Sequence, residues 1–251
     1  MTKVSVERLT ELVRDLQPCV VLTGAGVSTE SGIPDFRSAE GIWARYDPME
    51  YATIHAFLAD PVKVWDFYGK RLHVLGDAEP NEGHRALAEL EERGWVHAVI
   101  TQNIDRLHER AGTRALVEVH GSIRTSSCLD CGAVVPFDEV VRLLADAPAP
   151  ACPTCGRILK PDVVMFGELL PEAAIARASE LASEARLMLV VGSTLEVYPV
   201  AGLPLETLAS GGGLAIVNRG RTPLDGRAAV TIDAGAGETL RALADALSGR
   251  R

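Results

Sequence analysis

Short runs of β-branched and aliphatic residues recur along the chain, separated by stretches with apolar residues at i, i+3 and i+4. The runs predict strands over 19–23, 97–101, 116–119, 187–191, 214–217 and 230–233. Residues 82–93, 172–185 and 238–247 carry the helical period. Strand and helix in alternation predict an α/β fold, a parallel sheet with helices on both faces. Two stretches break the alternation: 39–82 is helical in pattern with no strand signal, and 122–161 holds four of the five cysteines. The expected organisation is a sheet lobe from 1–38, 83–121 and 162–251. A smaller lobe combines the helical insertion (39–82) with a zinc-ribbon insertion (122–161).

In open α/β sheets ligands bind beyond the carboxyl ends of the strands, so the residues after each run are the candidates for chemistry. They are Gly24-Ala25-Gly26, Gln102-Asn103-Ile104-Asp105, His120-Gly121-Ser122, Gly192-Ser193-Thr194 and Asn218-Arg219-Gly220. Turns anywhere favour Gly, Asn and Ser, but five successive ends of this kind predict one shared crevice. Gly24-Ala25-Gly26 would let the backbone approach a pyrophosphate at a helix N-terminus. Thr29 stands where the usual third glycine belongs, which argues against an ordinary dehydrogenase unit. Asp35-Phe36-Arg37, inside the loop 32–43 that ends at Trp43, suits a flap with Phe36 against a ring and Arg37 near phosphate. The alternative is a surface loop with Phe36 tucked into the core. His120, at a strand end, suits a general base, because imidazole titrates near neutral pH.

Composition narrows the class. Of 251 residues, 47% are apolar and 24% charged, which excludes a disordered, collagen-like or disulfide-stapled chain. The 25 basic and 34 acidic residues leave a net charge of −9, which disfavours nucleic acid and anionic membranes as partners. No apolar run approaches the ~18 residues of a membrane span. The first segment, MTKVSVERLTELVRDLQ, lacks the apolar core of a secretory signal. A cytoplasmic location is expected, and there paired cysteines point to metal before disulfide. Cys128-x-x-Cys131 and Cys152-x-x-Cys155, twenty residues apart, fit a four-thiolate zinc shell with no open position, hence a structural site. Redox or disulfide cysteines are the alternative. Cys19, in a strand, reads as an inert core thiol.

One helix of the first insertion stands out. Asp60 as N-cap and Pro61 at the first position start it, and Gly76 is expected to stop it after Leu75. Trp65, Tyr68, Leu72 and Leu75 form its apolar stripe, and Arg71 lies one turn beyond Tyr68. Phenol and guanidinium together could clamp a carboxylate. From spacing alone, core packing of Tyr68 and an Arg71 reaching to water fit as well.

These motifs together resemble the sirtuins, NAD-dependent protein deacylases, over nearly the whole chain. The resemblance rests on GAGVSTESGIPDFR (24–37), TQNIDRLHERAG (101–112), VHGS (119–122), the CxxC pairs, PDVVMFGE (161–168), VVGSTLEVYP (190–199) and VNRG (217–220). Gly192-Ser193-Thr194 reverses the family's Gly-Thr-Ser order while keeping both hydroxyls. The resemblance implies a Rossmann-like lobe, a zinc-plus-helical lobe, and NAD consumed as a co-substrate between them. The acyl-lysine oxygen would displace nicotinamide from the ribose, and His120 would act as base on a ribose hydroxyl. Free lysine, nicotinamide and O-acyl-ADP-ribose would be the products.

Cofactor contacts are implied for Gly24, Ala25, Gly26, Thr29, Asp35, Phe36, Arg37 and Trp43. Ile104 and Asp105 would hold the nicotinamide amide, and Gln102 and Asn103 the reacting ribose and nearby water, with Asn103 counted as catalytic beside His120. Gly192, Ser193, Thr194, Asn218, Gly220 and Ala236 would serve the adenosine side. Val163, Phe166 and Gly167 would pair with the backbone of an acyl-lysine protein substrate as an added strand. Tyr68 and Arg71 resemble the desuccinylase and demalonylase branch, with Ala52 widening the acyl pocket. Protein ADP-ribosylation on the same scaffold, plain deacetylation, and a silent NAD-sensing module are the competing readings. Oligomeric state has no signal in the sequence.

Overall fold

The structure, a computed structural model, describes residues 3–249. Its strands are β1 (Cys19–Thr23), β2 (Ala98–Thr101), β3 (Leu116–Glu118), β4 (Gly121–Ser127), β5 (Val134–Pro136), β6 (Lys160–Val163), β7 (Leu187–Val191), β8 (Gly213–Val217) and β9 (Val230–Ile232). Six form one sheet in the order β3-β2-β1-β7-β8-β9, with every pair parallel. The sheet is Rossmann-like, parallel as the alternation of strand and helix predicts, and all six strands fall within a residue of their expected bounds.

Side chains alternate across this sheet. Val21, Val99, Leu189 and Ala215 face one apolar cluster with Leu9 and Val13, Leu87 and Leu90, and Leu240 and Leu243. Those pairs belong to the helices Lys3–Asp15, Glu82–Glu92 and Ala236–Leu247. Val20, Leu22, Ile100, Met188 and Val190 face the opposite cluster, against Ala178 and Leu181 of the helix Glu172–Glu184. Burial on both faces explains why the strands read as continuous apolar runs. The strand order reverses between β1 and β7, which opens a crevice at their carboxyl ends.

The remaining strands form a three-stranded antiparallel sheet, β5-β4-β6, that the apolar pattern does not predict. β4 is GSIRTSS, too polar to register as a strand, and β5 is three residues long. The helix Phe137–Asp146 follows β5. A third apolar cluster joins this sheet to the helical insertion, through Trp65, Phe67, Tyr68, Leu72 and Leu75 on one side and Ile123, Val135, Val140 and Leu159 on the other. The Trp65 indole N–H donates to the Leu159 carbonyl (2.6 Å) and locks the two together.

The helix Pro61–Asp77 begins as expected, with the Asp60 carboxylate accepting from the Lys63 N–H (3.0 Å). It does not stop at Gly76. A Cβ there would lie 3.3 Å from the Phe137 ring, so this glycine makes room for a neighbour and the helix continues to Asp77. No helix among the described residues is long and apolar enough to cross a membrane.

Candidate active site

The carboxyl ends of the sheet and the third apolar cluster enclose a cavity of about 1410 Å³. Ligand pockets commonly hold roughly 300–1,000 Å³, so this one has room for two reactants. Gly24, Ala25, Gly26 and Thr29 line it after β1, followed by Asp35, Phe36, Arg37 and Trp43 from the flap. Gln102, Asn103, Ile104 and Asp105 follow β2, and His120 follows β3. Gly192, Ser193 and Thr194 follow β7, Asn218 and Gly220 follow β8, and Ala236 opens the last helix. Ala52, Tyr68, Arg71, Val163, Phe166 and Gly167 complete the wall.

The glycines also have a packing role. A Cβ on Gly24 would lie 2.8 Å from the Gly192 carbonyl oxygen, and one on Gly26 2.8 Å from the Gly192 Cα. The Gly26 N–H donates to the Gly192 carbonyl (2.8 Å). What this structure requires of Gly24 and Gly26 is close packing of the β1 loop on the β7 loop, which brings two strand ends onto one rim.

Beneath them lies a closed polar network. Ser28 donates to Asp105 Oδ2 (2.6 Å) and accepts from the Asn103 side-chain amide (3.0 Å). Asp105 Oδ1 accepts the Leu107 N–H (2.9 Å). His84 Nδ1 accepts the Asn81 N–H (3.3 Å), so its Nε2 carries the proton toward Ser28 Oγ (3.4 Å). Burial raises the Asp105 carboxyl above its ordinary range, opposed by the Ser28 hydroxyl and the Leu107 amide. Burial pushes His84 down to about 4, and His108, whose ring lies 4.8 Å from that of His84, well below its ordinary value. Ser28 and His84 were not among the predicted site residues. The local signal at His84 is an Asn-x-x-His capping box, Asn81 to His84, which reads as a helix start and nothing more, and Ser28 lies within the segment 24–37 as one small residue among several.

His120 sits where the parallel sheet hands over to the antiparallel one, between β3 and β4. Its Nδ1 lies 3.1 Å from the Gln102 carbonyl. A carbonyl only accepts, so Nδ1 bears the hydrogen and Nε2 keeps its lone pair. Burial lowers the imidazole's pKa, partly offset by the Gln102 carbonyl, which favours the neutral ring.

The flap folds back on itself, with the Ile42 and Trp43 N–H groups donating to the Asp35 and Phe36 carbonyls. Asp35 Oδ1 accepts from the Arg37 and Ser38 N–H groups. The Phe36 ring lies 5.1 Å from that of Trp43 within the third apolar cluster. Arg37 reaches Glu196, beyond β7, at 2.9 Å and so ties the flap to the opposite rim.

At the far wall Tyr68 is buried and its hydroxyl is pushed up to about 12 by burial, against the pull of Arg71. The Arg71 guanidinium lies 5.0 Å from the Phe36 ring centroid and 5.2 Å from that of Phe67. Among the described residues no carboxylate pairs with it. Ala52 is buried beside them. Phe166 departs from the expected strand pairing: its N–H donates to the Ala52 carbonyl (2.8 Å) and its carbonyl accepts from Ile54 (3.0 Å). Its backbone is engaged inside the chain, so its half-exposed ring is what it offers a ligand.

The four cysteines lie outside this cavity. Their Sγ atoms are all within 4.8 Å of one another, with Cys128–Cys155 at 3.4 Å and Cys131–Cys152 at 3.6 Å. A tetrahedron of Zn–S bonds of about 2.3 Å has edges of about 3.8 Å, so the donor set fits zinc. The two turns match: Cys128 and Cys152 accept from the Gly132 and Gly156 N–H groups (3.0 and 2.9 Å). The Cys131 N–H, ahead of the Asp130 N–H, lowers the Cys128 thiol toward the thiolate a metal needs.

Comparison with known proteins agrees with this architecture. Residues 24–199 match the Sir2 family. The chain is 45% identical over 240 residues to NAD-dependent protein deacylase 2 of Pyrobaculum aerophilum, covering 96% of this chain and 95% of that one. It is 44% identical over 215 residues to an NAD-dependent protein deacetylase of Thermotoga maritima, covering 86% and 87%. A solved Sir2 structure with a deacetylated p53 peptide and 3'-O-acetyl-ADP-ribose superposes with a TM-score of 0.93 at 40% identity, covering 96% of this chain and 98% of that one. Sir2Tm bound to a propionylated peptide gives 0.89 at 39%, covering 98% and 99%. With the family match spanning most of the chain and the fold shared from end to end, this protein belongs to the Sir2 family, the sirtuins.

Proposed function

We propose that the protein is an NAD-dependent protein lysine deacylase that removes succinyl and malonyl groups, and acetyl groups as well. The observation that carries the reading is the pairing of two groups in one cavity: a His120 with one committed and one free nitrogen, and an Arg71 cation with no acidic partner. NAD, when bound, supplies an electrophilic ribose carbon and nicotinamide as its leaving group. Ser28, Asn103 and Asp105, with amide, hydroxyl and carboxyl groups, suit a carboxamide and a ribose. Ser193 and Asn218 suit the adenosine side, and Arg37 a phosphate.

His120 Nε2 takes the proton from a ribose hydroxyl, and the Gln102 carbonyl stabilises the imidazolium through Nδ1. With NAD bound, that hydroxyl oxygen would bond to the acyl carbon as the lysine amine leaves it, nicotinamide would depart from the ribose carbon, and one water would be consumed, giving free lysine and O-acyl-ADP-ribose. Arg71 offers its fork and Tyr68 its hydroxyl to the distal carboxylate of a succinyl or malonyl chain. Gly167, Val163 and the Phe166 ring support the peptide. Cys128, Cys131, Cys152 and Cys155 hold one zinc ion in a closed shell, so it braces the small lobe (39–82 and 122–161) and takes no part in the chemistry. Thiolates kept for zinc suit a reducing compartment such as the cytoplasm.

Plain deacetylation is the second reading. It is favoured by the two rings that already flank Arg71, which would then stay stacked and leave the acyl carboxylate unread. Mass spectrometry of one peptide carrying acetyl-lysine, succinyl-lysine or malonyl-lysine, incubated with NAD, tests the proposal. Loss of the acyl mass with release of nicotinamide and O-acyl-ADP-ribose is expected. Gain of an ADP-ribose mass on the peptide, or no nicotinamide at all, would overturn it.

A further inference from the structure

A buried lysine, paired with a half-buried glutamate that lines the cavity, has no part in the chemistry above. Lys160 opens β6 with its side chain only 8% exposed. Its ammonium donates to the carbonyls of Pro161 (3.1 Å) and Val163 (3.0 Å) and pairs with Glu168 Oε2 (3.0 Å). An ammonium has three donors, and the segment's own three acceptors take them all. Glu168 Oε2 also accepts the Met165 N–H (2.8 Å), and the Glu168 N–H returns a bond to the Met165 carbonyl (3.0 Å). Residues 160–168 are thus closed into a loop by charges at its two ends.

Two outward bonds make the loop consequential. The Val164 N–H donates to the His120 carbonyl (2.8 Å), and Phe166 bridges Ala52 and Ile54. The segment is therefore tied to the wall that carries Ala52 and to the His120 carbonyl, while the His120 ring is held separately by the Gln102 carbonyl. An ion pair with a buried member adds little net stability, and here the three acceptors around the Lys160 ammonium all come from the one segment. A loop ordered before binding also avoids the entropy loss of ordering on binding.

We propose that Lys160 and Glu168 form the clasp that holds residues 163–167 in the shape onto which the acylated peptide docks. Both are positioning residues, and the inference rests on the deacylase reading. Hydrogen exchange of the Val164 and Met165 amides, and KM and kcat for an acetyl-lysine peptide with NAD, are measured for wild type, Lys160→Met, Lys160→Arg and Glu168→Gln. Lys160→Met should speed exchange and raise the peptide KM, each about tenfold, with kcat and the KM for NAD within about twofold. Lys160→Arg should restore both readings. Glu168→Gln keeps an acceptor for Met165 and removes only the charge, so a rise of about threefold is expected.

Wild-type exchange and peptide KM in the variants would overturn the clasp. So would a uniform fall of all constants that arginine does not rescue, which marks a structural role only. If Lys160→Met does not fold, Glu168→Gln carries both readings. A wild type that turns over no acylated peptide overturns the deacylase reading, while the amide exchange still decides the clasp.

Discussion

Where the cavity meets the ends of β1 and β2, Ser28, Asn103 and Asp105 satisfy one another within 3.0 Å. On the wall made by the helix Pro61–Asp77, Arg71 rests on the rings of Phe36 and Phe67, and among the described residues no carboxylate pairs with it. The first arrangement is closed: each polar group is aimed by another, and a reactant meets a preformed surface. The second is open: a desolvated cation lacks the partner that would lower its energy, so an incoming carboxylate has nothing to displace. A fold of this kind separates reaction from selection. Under the proposed function, the ordered network receives the reactants and Arg71 reads the acyl group.

The largest expected effect tests the brace common to both ends. Loss of zinc through Cys128→Ser removes a share of a metal-binding free energy that reaches about 10 kcal/mol in small zinc modules. Zinc content and melting temperature should fall together, and activity with them. Unchanged melting with full activity would remove the zinc site from the structural account.

At the closed end, His120→Ala should lower kcat by about 10²–10⁴-fold, read as nicotinamide release from an acyl peptide, while melting stays within a few degrees. Because burial lowers the His120 pKa, activity should rise with pH through a value below the ordinary 6.5 and then level off. An acid limb above 6.5 would contradict a His120 whose pKa is lowered by burial.

The same end should be acid-sensitive in stability. Burial, with a smaller push from Arg85, brings His84 from 6.5 down to about 4, so between those values the unfolded chain binds a proton that the folded chain refuses. Stability is complete above pH 6.5 and falls toward pH 4 by on the order of 3 kcal/mol. Denaturant titrations across that range check it, and His84→Gln should reduce the dependence, with the part owed to buried His108 and His120 remaining. Smaller still, Gly26→Ala forces a Cβ against the Gly192 backbone and should cost about 1–3 kcal/mol of stability while weakening NAD binding.

What the sequence discloses follows from these same physical differences. The six parallel strands are legible because burial on both faces forces continuous apolar runs, and Cys19–Thr23 or Leu187–Val191 admit no other use. The rim of the cavity is legible because one topology gathers all strand ends. β4 is not, because GSIRTSS is shaped by its neighbours and the adjacent cysteine turns, with little apolar pattern of its own. Lys160–Glu168 and Ser28–His84 are equally silent, since their partners meet only after folding and their spacings are ordinary. Gly76 misleads for a related reason: it relieves contact with Phe137, which no local pattern announces.

The most direct test of the division between the two ends compares kcat/KM for one peptide carrying acetyl-lysine or succinyl-lysine, with NAD, in wild type and Arg71→Met. A desolvated charge-assisted pair contributes about 1.5–3 kcal/mol, so the mutant should lose about 10–100-fold on succinyl-lysine and little on acetyl-lysine. Equal losses on both peptides, or none on either, would contradict an acyl-reading Arg71 and leave it as a packed side chain on two aromatic rings.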